Sequence, residues 1–579
     1  MKLTGGQIVA RALKAHGVQY VAGIPGYGSW AMVDALLAPG SEIPFIQVMQ
    51  EQSSVHMADG YYRACGRPMA ALLPTAVGVS KALGGLATAF ADSTAVLVVS
   101  GGQLSHLPQP QCADTAHRGQ YTARPCGVSK AQLQANAIDQ LPSTLHRAFS
   151  TMLSGRPGPV SVEVPINVQV GTAQVRFDPP NTRMPSGRAR AEKGQIERAL
   201  QCLRRARRPL ILAGGGVIAS EASQELTALA CALGAPVVTT CNGKGAIAED
   251  HPLSAGPIGR LGSPCANQLL GTADVVLAVG SRLATTLQQG GDGGAVSALA
   301  HAQLIQVDVD ADEIGRNHRV EVGISADARS VLADLAAGLT PACSRQIARD
   351  RKAYLKEVSG LIEQWEARLS LDRSDDALPF IVQRPLAELR QVLERDAIVV
   401  VGSGSVQAAV RQMFPVYLPR THLCSGSFGS LGWAVPAAIG AKLAMPARQV
   451  VCIVGDGDFL QSMQEMAVCV MHTIPVVFLV FNNSGYVALR DAQSQVFGRH
   501  LGCEFNLPDG KPYSPEFAEI ARHFGLQAWR VEHASQLAAT LHKAVNSKGP
   551  ALVEFITTRG NTGAVEQGNL HFPAPVYDQ

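Results

Sequence analysis

Short, almost wholly apolar runs recur along the chain. Each is closed by a turn-forming residue and followed by a longer stretch of helical period. Val450-Val451-Cys452-Ile453-Val454 and Pro475-Val476-Val477-Phe478-Leu479-Val480-Phe481 are the clearest pair. Runs this short and this apolar predict strands buried on both faces, as in parallel sheets, and residues 461–472 between them predict the crossover helix. The rhythm repeats in three segments. The first runs from the N-terminus to about Val170 and closes on Pro159-Val160-Ser161-Val162-Glu163-Val164-Pro165. Residues 177–193, rich in Pro, Arg and Ser, read as a linker. The second segment carries Leu210-Ile211-Leu212-Ala213-Gly214-Gly215-Gly216, Val275-Val276-Leu277-Ala278-Val279 and Leu304-Ile305-Gln306-Val307. A charged helical stretch over 349–373 precedes the third, which includes Ile398-Val399-Val400-Val401-Gly402. The expected domains are 1–172, 190–345 and 376–560, with a polar tail over 561–579. The fold class is α/β, with three doubly wound parallel-sheet domains.

Composition narrows this picture. A chain of 579 residues is too long for one core. Aromatic residues at 5% and charged residues at 16%, with 57 glycines, suit a large enzyme with much buried sheet rather than a disordered chain. The formal charge of +3 comes without a long basic run, so nothing points to nucleic acid. No stretch approaches the roughly 18 apolar residues of a membrane span. The first residues read as an amphipathic helix without a signal peptide's apolar core. Twelve cysteines without a CxxC pair or zinc spacing fit a reducing cytoplasm.

The two clearest strands also carry the strongest chemistry. Val454-Gly455-Asp456-Gly457-Asp458 follows the first, and Phe481-Asn482-Asn483-Ser484-Gly485 ends the second. Asp456 and Asn483 should emerge at the carboxyl ends of adjacent strands, where open α/β sheets bind ligands. The Asp456 carboxylate, the Asn483 amide oxygen and a backbone carbonyl, with Gly485 the candidate, make a hard oxygen set suited to Mg²⁺. Gly455 and Gly457 let the backbone approach a diphosphate closely. The turn Gly402-Ser403-Gly404-Ser405 can offer N–H groups to phosphate oxygens. Glu51, in Gln50-Glu51-Gln52, stands at the start of a predicted helix. An acid there is also an ordinary partner for the helix dipole.

The GDG-to-NN interval resembles the metal-diphosphate motif of thiamine diphosphate enzymes. Further stretches resemble their acetolactate-synthase-like branch. Its HEQ-to-GYAR segment appears as Gln50-Glu51-Gln52 to Gly60-Tyr61-Tyr62-Arg63-Ala64, and its GxPG loop as Gly23-Ile24-Pro25-Gly26. Its SGRPGPV segment appears as Ser154-Gly155-Arg156-Pro157-Gly158-Pro159-Val160, and Asp312-Glu313-Ile314-Gly315-Arg316-Asn317 lies between. The resemblance spans essentially the whole chain. It implies an aminopyrimidine-binding first domain, a Rossmann-like central domain and a diphosphate-binding third domain. It also implies that Glu51 bonds N1′ of the aminopyrimidine, so that the 4′-nitrogen can remove the thiazolium C2 proton. Leu431, in Ser425-Gly426-Ser427-Phe428-Gly429-Ser430-Leu431-Gly432-Trp433, falls where the family props the bent cofactor. Gly26, Gly404, Ser405, Gly455, Asp456, Gly457, Asn483 and Gly485 would complete the cofactor site. The family's cofactor lies between the first domain of one subunit and the third domain of another, so a homodimer or homotetramer is implied.

The chain departs from its relatives around the substrate. Tyr27 replaces a second glycine after GxPG, with Trp30 close behind. The TSGPGATN-like loop has become Pro74-Thr75-Ala76-Val77-Gly78-Val79-Ser80-Lys81. An expected glutamine aligns with His117, with Gln120 the alternative; Tyr27, His117 and Gln120 are therefore the catalytic candidates beside Glu51. No His-His pair exists, which disfavours release of a free aldehyde. The family's RFDDR segment reads Arg282-Leu283-Ala284-Thr285-Thr286-Leu287, without its acids, so FAD, or ADP in its place, stays open for the central domain. The leading expectation is acetolactate-synthase-like carboligation of 2-oxo acids. The alternatives are a 2-hydroxyacyl-coenzyme-A lyase or decarboxylase, hydrolytic cleavage of a 1,2-dione, and a catalytically silent cofactor-binding paralogue. A nucleotide-binding dehydrogenase would need GxGxxG with a following acid, which the chain lacks.

Overall fold

The computed structural model describes residues 2–40, 42–102, 127–180, 187–284, 288–291, 294–297, 299 and 301–560. His117, Gln120 and the tail 561–579 lie outside them. Three six-stranded sheets, parallel throughout, follow one another along the chain. The first contains β1 (Val21–Gly23), β2 (Phe45–Gln47), β3 (Ala70–Leu73), β4 (Leu97–Gly102), β5 (Ala131–Gln134) and β6 (Val160–Pro165), in the order β2-β1-β3-β4-β6-β5. The second contains β7 (Pro209–Ala213), β8 (Val237–Thr239), β9 (Ser254–Pro257), β10 (Val275–Val279), β11 (Gln303–Asp308) and β12 (Val322–Ser325), in the order β9-β8-β7-β10-β11-β12. The third contains β13 (Ile398–Val401), β14 (His422–Cys424), β15 (Val450–Gly455), β16 (Val477–Asn482), β17 (Gln527–Val531) and β18 (Ala551–Ile556), in the order β14-β13-β15-β16-β18-β17. The first and third sheets thus share one topology, and the middle sheet has the doubly wound dinucleotide-binding order. No helix among the described residues is long and apolar enough to cross a membrane.

Two expectations change. The N-terminus is not helical from its first residues. Lys2–Thr4 pairs antiparallel with Thr172–Gln174, and the helix Gly5–Ala15 starts behind a Thr4–Gln7 capping box. The single crossover helix expected over 461–472 is instead two short pieces, a 3₁₀ turn Met463–Glu465 and a helix Met466–Met471, preceded by a separate turn of helix at Asp456–Phe459. Ser462 leaves the helical region (φ −147°, ψ 13°), and Asp456 and Asp458 accept hydrogen bonds from backbone outside their own turn. Those bonds hold the start of the crossover to neighbouring loops.

One apolar core joins the first and third domains. Its centre is the crossing of the helices Glu51–Cys65 and Ala434–Ala444, which touch backbone to backbone. A Cβ on Gly60 would lie 2.2 Å from Ala437 O, and one on Gly440 would lie 1.9 Å from Met57 O. No side chain can occupy either point unless the helices part. Gly440→Ala is therefore expected to destabilise by at least the upper part of the about 1–3 kcal/mol typical of overpacking. Urea unfolding would measure this, and a parental midpoint would contradict the crossing.

Candidate functional site

The strands β15 and β16 run parallel with Gly455 opposite Phe481, so Asp456 and Asn483 both follow the carboxyl ends of neighbouring strands. Both side chains are buried. Asp456 Oδ2 accepts the Gly485 N–H at 3.0 Å. The Asn483 amide oxygen is placed 2.9 Å from Gly485 O and 3.3 Å from Asp456 Oδ1. Three oxygens do not converge in this way uncompensated. Either the amide is turned so that its NH₂ donates to the other two, or a cation sits among them. A carboxylate, an amide oxygen and a backbone carbonyl are hard donors of the kind Mg²⁺ takes, so the donor set fits that ion. Burial pushes the Asp456 carboxyl up to about 6, although the Gly485 and neighbouring N–H groups pull it back.

A second loop borders this group. Gly404 adopts φ +113°, which glycine alone takes readily, and ends the turn after β13 as the N-cap of the helix Ser405–Met413. The free amides at that helix start suit a phosphate. Asp458 braces the loop: its Oδ2 accepts the Ser403 N–H at 2.8 Å, and its Oδ1 accepts the Gly432 N–H. Gly402 lies against the same carboxylate, where a Cβ would be 2.0 Å from Oδ2. Leu431, half-buried, immediately precedes the fixed Gly432. Burial pushes the Asp458 carboxyl up to about 7.

The acid-bearing half stands on the first domain. Glu51 opens the helix Glu51–Cys65 and is buried. Its Oε2 lies 3.3 Å from Lys81 Nζ. In the GxPG loop, Gly26 O accepts from the Ser29 N–H and hydroxyl, and Gly26 packs on Pro74. Tyr27 and Trp30 are 57% and 63% exposed and form an edge-to-face pair at 5.9 Å. The structure thus brings together Asp456, Asn483 and Gly485. Asp458 bonds Ser403 and Gly432, the neighbours of Gly404 and Leu431, and Gly26, Tyr27 and Glu51 stand on the first domain.

Comparison with known proteins matches this layout. Residues 3–118, 196–335 and 402–555 match the families described as "Thiamine pyrophosphate enzyme", N-terminal TPP binding domain, central domain and C-terminal TPP binding domain. A probable acetolactate synthase large subunit of Methanocaldococcus jannaschii is 32% identical, over 96% of this chain and 92% of its own length. An acetolactate synthase of Arthrospira platensis is 32% identical over 96% and 95%. The acetolactate synthase isozyme 3 large subunit of Escherichia coli is 30% identical over 94% and 92%.

Three residues around the site were missed in the sequence: Asp458, Glu465 and the contact made by Lys81. Asp458 stood inside the quoted motif, and only its long-range partners reveal its role. Glu465 reaches across domains to the strand-to-helix turn before Glu51, where its Oε2 accepts the Met49 N–H at 3.2 Å. Burial pushes this carboxyl from 4.5 up to about 7, against hydrogen bonds from Met49, Ser53 and Gln50. Between those two values the folded chain keeps a proton that the unfolded chain releases, so this group's contribution to stability falls as pH rises through that window. Glu465→Gln removes the dependence. The variant's melting temperature minus the parent's is expected to grow from pH 5 to pH 8, and a difference independent of pH would refute the assignment.

Proposed function

The chain belongs to the thiamine pyrophosphate enzymes, and from that membership we propose that it joins 2-oxo acids in acetolactate-synthase-like carboligation. The convergence of Asp456, Asn483 and Gly485 at neighbouring strand ends carries the cofactor reading. Likeness to acetolactate synthases over nearly the whole chain carries the reaction.

Mg²⁺ would be held by the Asp456 carboxylate, the Asn483 amide oxygen and the Gly485 carbonyl, facing the diphosphate of thiamine diphosphate. The Gly404 and Ser405 amides would meet remaining phosphate oxygens at the helix start. Gly455 and Gly457 keep the backbone on either side of Asp456 free of side chains. When bound, thiamine diphosphate supplies a thiazolium carbon that adds to a carbonyl and accepts the electron pair released as a C–C bond breaks. Glu51 holds the proton at N1′ of the aminopyrimidine. Leu431 offers an apolar prop whose backbone is fixed through Gly432 by Asp458. Tyr27 presents a hydroxyl and Trp30 an aromatic wall toward substrate. His117 and Gln120 are assigned to proton transfer near the reacting carbon, on the resemblance alone.

Glu51 and Asp456 stand on different domains, and the carboxylate of Glu51 faces Lys81. We assign the complete site to the junction of two copies, in a dimer or tetramer. The exposed Tyr27, Trp30 and Phe428 are the apolar surface such a copy would cover. The stretch Arg282-Leu283-Ala284-Thr285-Thr286-Leu287 lacks the acids of the family's RFDDR segment. Arg282 donates to Ala91 O at 2.5 Å and to Ser427 Oγ at 3.1 Å, and Leu283 is buried, so this stretch ties the three domains together. No step proposed here passes through FAD. The exposed Tyr27–Trp30 pair favours, as the second reading, a lyase or hydrolase acting on acyl-coenzyme-A thioesters or 1,2-diones.

NMR analysis of products from pyruvate, alone and with a second 2-oxo acid, tests the reaction. Acetolactate or a mixed acetohydroxy acid is expected. No turnover with C2 proton exchange intact would favour the second reading, and no exchange would mean a silent paralogue. Glu51→Gln is expected to bind cofactor normally and to lower turnover by about 10²- to 10⁴-fold or more. Near-parental turnover would remove Glu51 from the mechanism.

A further inference from the structure

The described ion pair of the Glu51 carboxylate is with Lys81, which sits in the run replacing the TSGPGATN-like loop. The contact follows from how two helices pack. Ala76–Ala91 lies against Glu51–Cys65 through Gly84 and Gly85. A Cβ on Gly85 would be 2.8 Å from Val55 Cβ, and one on Gly84 would be 3.3 Å from Gln52 Nε2. One turn before Gly84, Lys81 comes opposite the first residue of the neighbouring helix, which is Glu51. The carboxylate is 8% exposed and the Lys81 side chain 55%, so the ammonium covers an otherwise buried acid from the open side.

The other charged groups around this helix end are engaged elsewhere. Lys81 is the sole titratable side chain of its own helix. Across the helix crossing, Lys442 donates to Arg448 O at 2.6 Å. Glu465 accepts from Met49 N–H. Farther along the Glu51 helix, Arg63 is held by Asp59 and Asp92, and His56 is buried facing Gly432.

We propose that Lys81 is a positioning residue that shares the Glu51 carboxylate with N1′ of the bound aminopyrimidine. The inference rests on the assignment of Glu51 to N1′. A protonated pyrimidine and the ammonium would then compete for one carboxylate and repel each other, and a charge at this range moves a protonation midpoint by about one unit or more. The pyrimidine therefore takes up its proton at lower pH than Glu51 alone would dictate. The cationic pyrimidinium is confined to more acidic solution, and the neutral amino and imino tautomers, the second of which carries the N1′ proton and frees the 4′-nitrogen to act at C2, predominate over a wider range.

The test uses the full chain loaded with thiamine diphosphate and Mg²⁺. Near-ultraviolet circular dichroism of the bound cofactor, without substrate, is followed against pH, and C2 proton exchange is measured in parallel. Lys81→Met and Lys81→Gln are expected to raise the midpoint of both curves by about one unit or more, and Lys81→Arg to restore it. A packing role alone would change cofactor affinity or amplitude at every pH and leave the midpoint in place; an unmoved midpoint in both neutral variants overturns the proposal. Glu51→Gln separates the two assignments. If it keeps parental exchange, the reading of Glu51 fails and takes this inference with it. If it abolishes exchange while the Lys81 variants keep the parental midpoint, only the role of Lys81 is refuted.

Discussion

The buried guanidinium of Arg63 is the point on which the three domains close. It bonds Asp59 at 2.6 Å on its own helix, Asp92 at 3.0 Å, and the Cys424 carbonyl of the third domain at 2.5 Å. Burial alone would lower its pKa, but the two carboxylates outweigh that and the net direction is up. One cation between two acids leaves a buried negative charge, which other donors satisfy. Trp433 Nε1 donates to Asp59, while Asn242 of the middle domain and the Ser427 N–H donate to Asp92. A buried charge cluster adds little net stability, but removing one member strands the others, typically at about 3–5 kcal/mol. The cluster ties the first, middle and third domains at one point.

That arrangement sets the site at both ends. Arg63 lies three turns along the helix that Glu51 opens, so fixing Arg63 and the Gly60–Gly440 crossing fixes where the Glu51 carboxylate points. Ser427 and Trp433 bracket Leu431, so the same cluster locates the prop segment. Each half then has its own carboxylate brace, Asp458 on the diphosphate side and Glu465 behind the turn before Glu51. Burial pushes both to about 7. Neither touches a candidate ligand position directly. They hold the backbone that does, a division of labour between binding groups and supporting groups that site precision requires.

Much of this was legible in the sequence because it is local. Strand, glycine turn and acid lie within a few residues in Val450 to Asp458, and the strand ends fixed by apolar runs place Asp456 beside Asn483. The helix beginning at Glu51 and the three-sheet class followed from period alone. What escaped was set by partners far along the chain. Asp458 looks like a turn acid until Ser403 and Gly432 are seen to meet it. The crossover breaks at Ser462, which no local signal marks, and the strand Lys2–Thr4 exists only because residues 172–174 return to pair with it. Arg63 read as part of a motif, with nothing nearby to show that Asp92 and Cys424 would converge on it.

Three of the departures from the family pattern, at Tyr27, Trp30 and Lys81, share one location on the first domain. Gly26 packs on Pro74, so the loop bearing Tyr27 rests on the run that ends at Lys81, and Lys81 in turn meets Glu51. The diphosphate half, by contrast, keeps its acid, amide and carbonyl, and Asp458 and Gly404 retain the geometry that serves them. These three changes lie on the first-domain face, where the proposed aminopyrimidine and substrate would be met, apart from the proposed anchor on the third domain. An anchor must satisfy a fixed set of phosphate and metal oxygens, so it tolerates little change. The opposite face would meet both the aminopyrimidine and the carbonyl compound that is used, so a new side chain there can act on either. On that physical ground we assign Tyr27 and Trp30 to the choice of substrate and Lys81 to the handling of Glu51, while membership of the family is carried by all three domains.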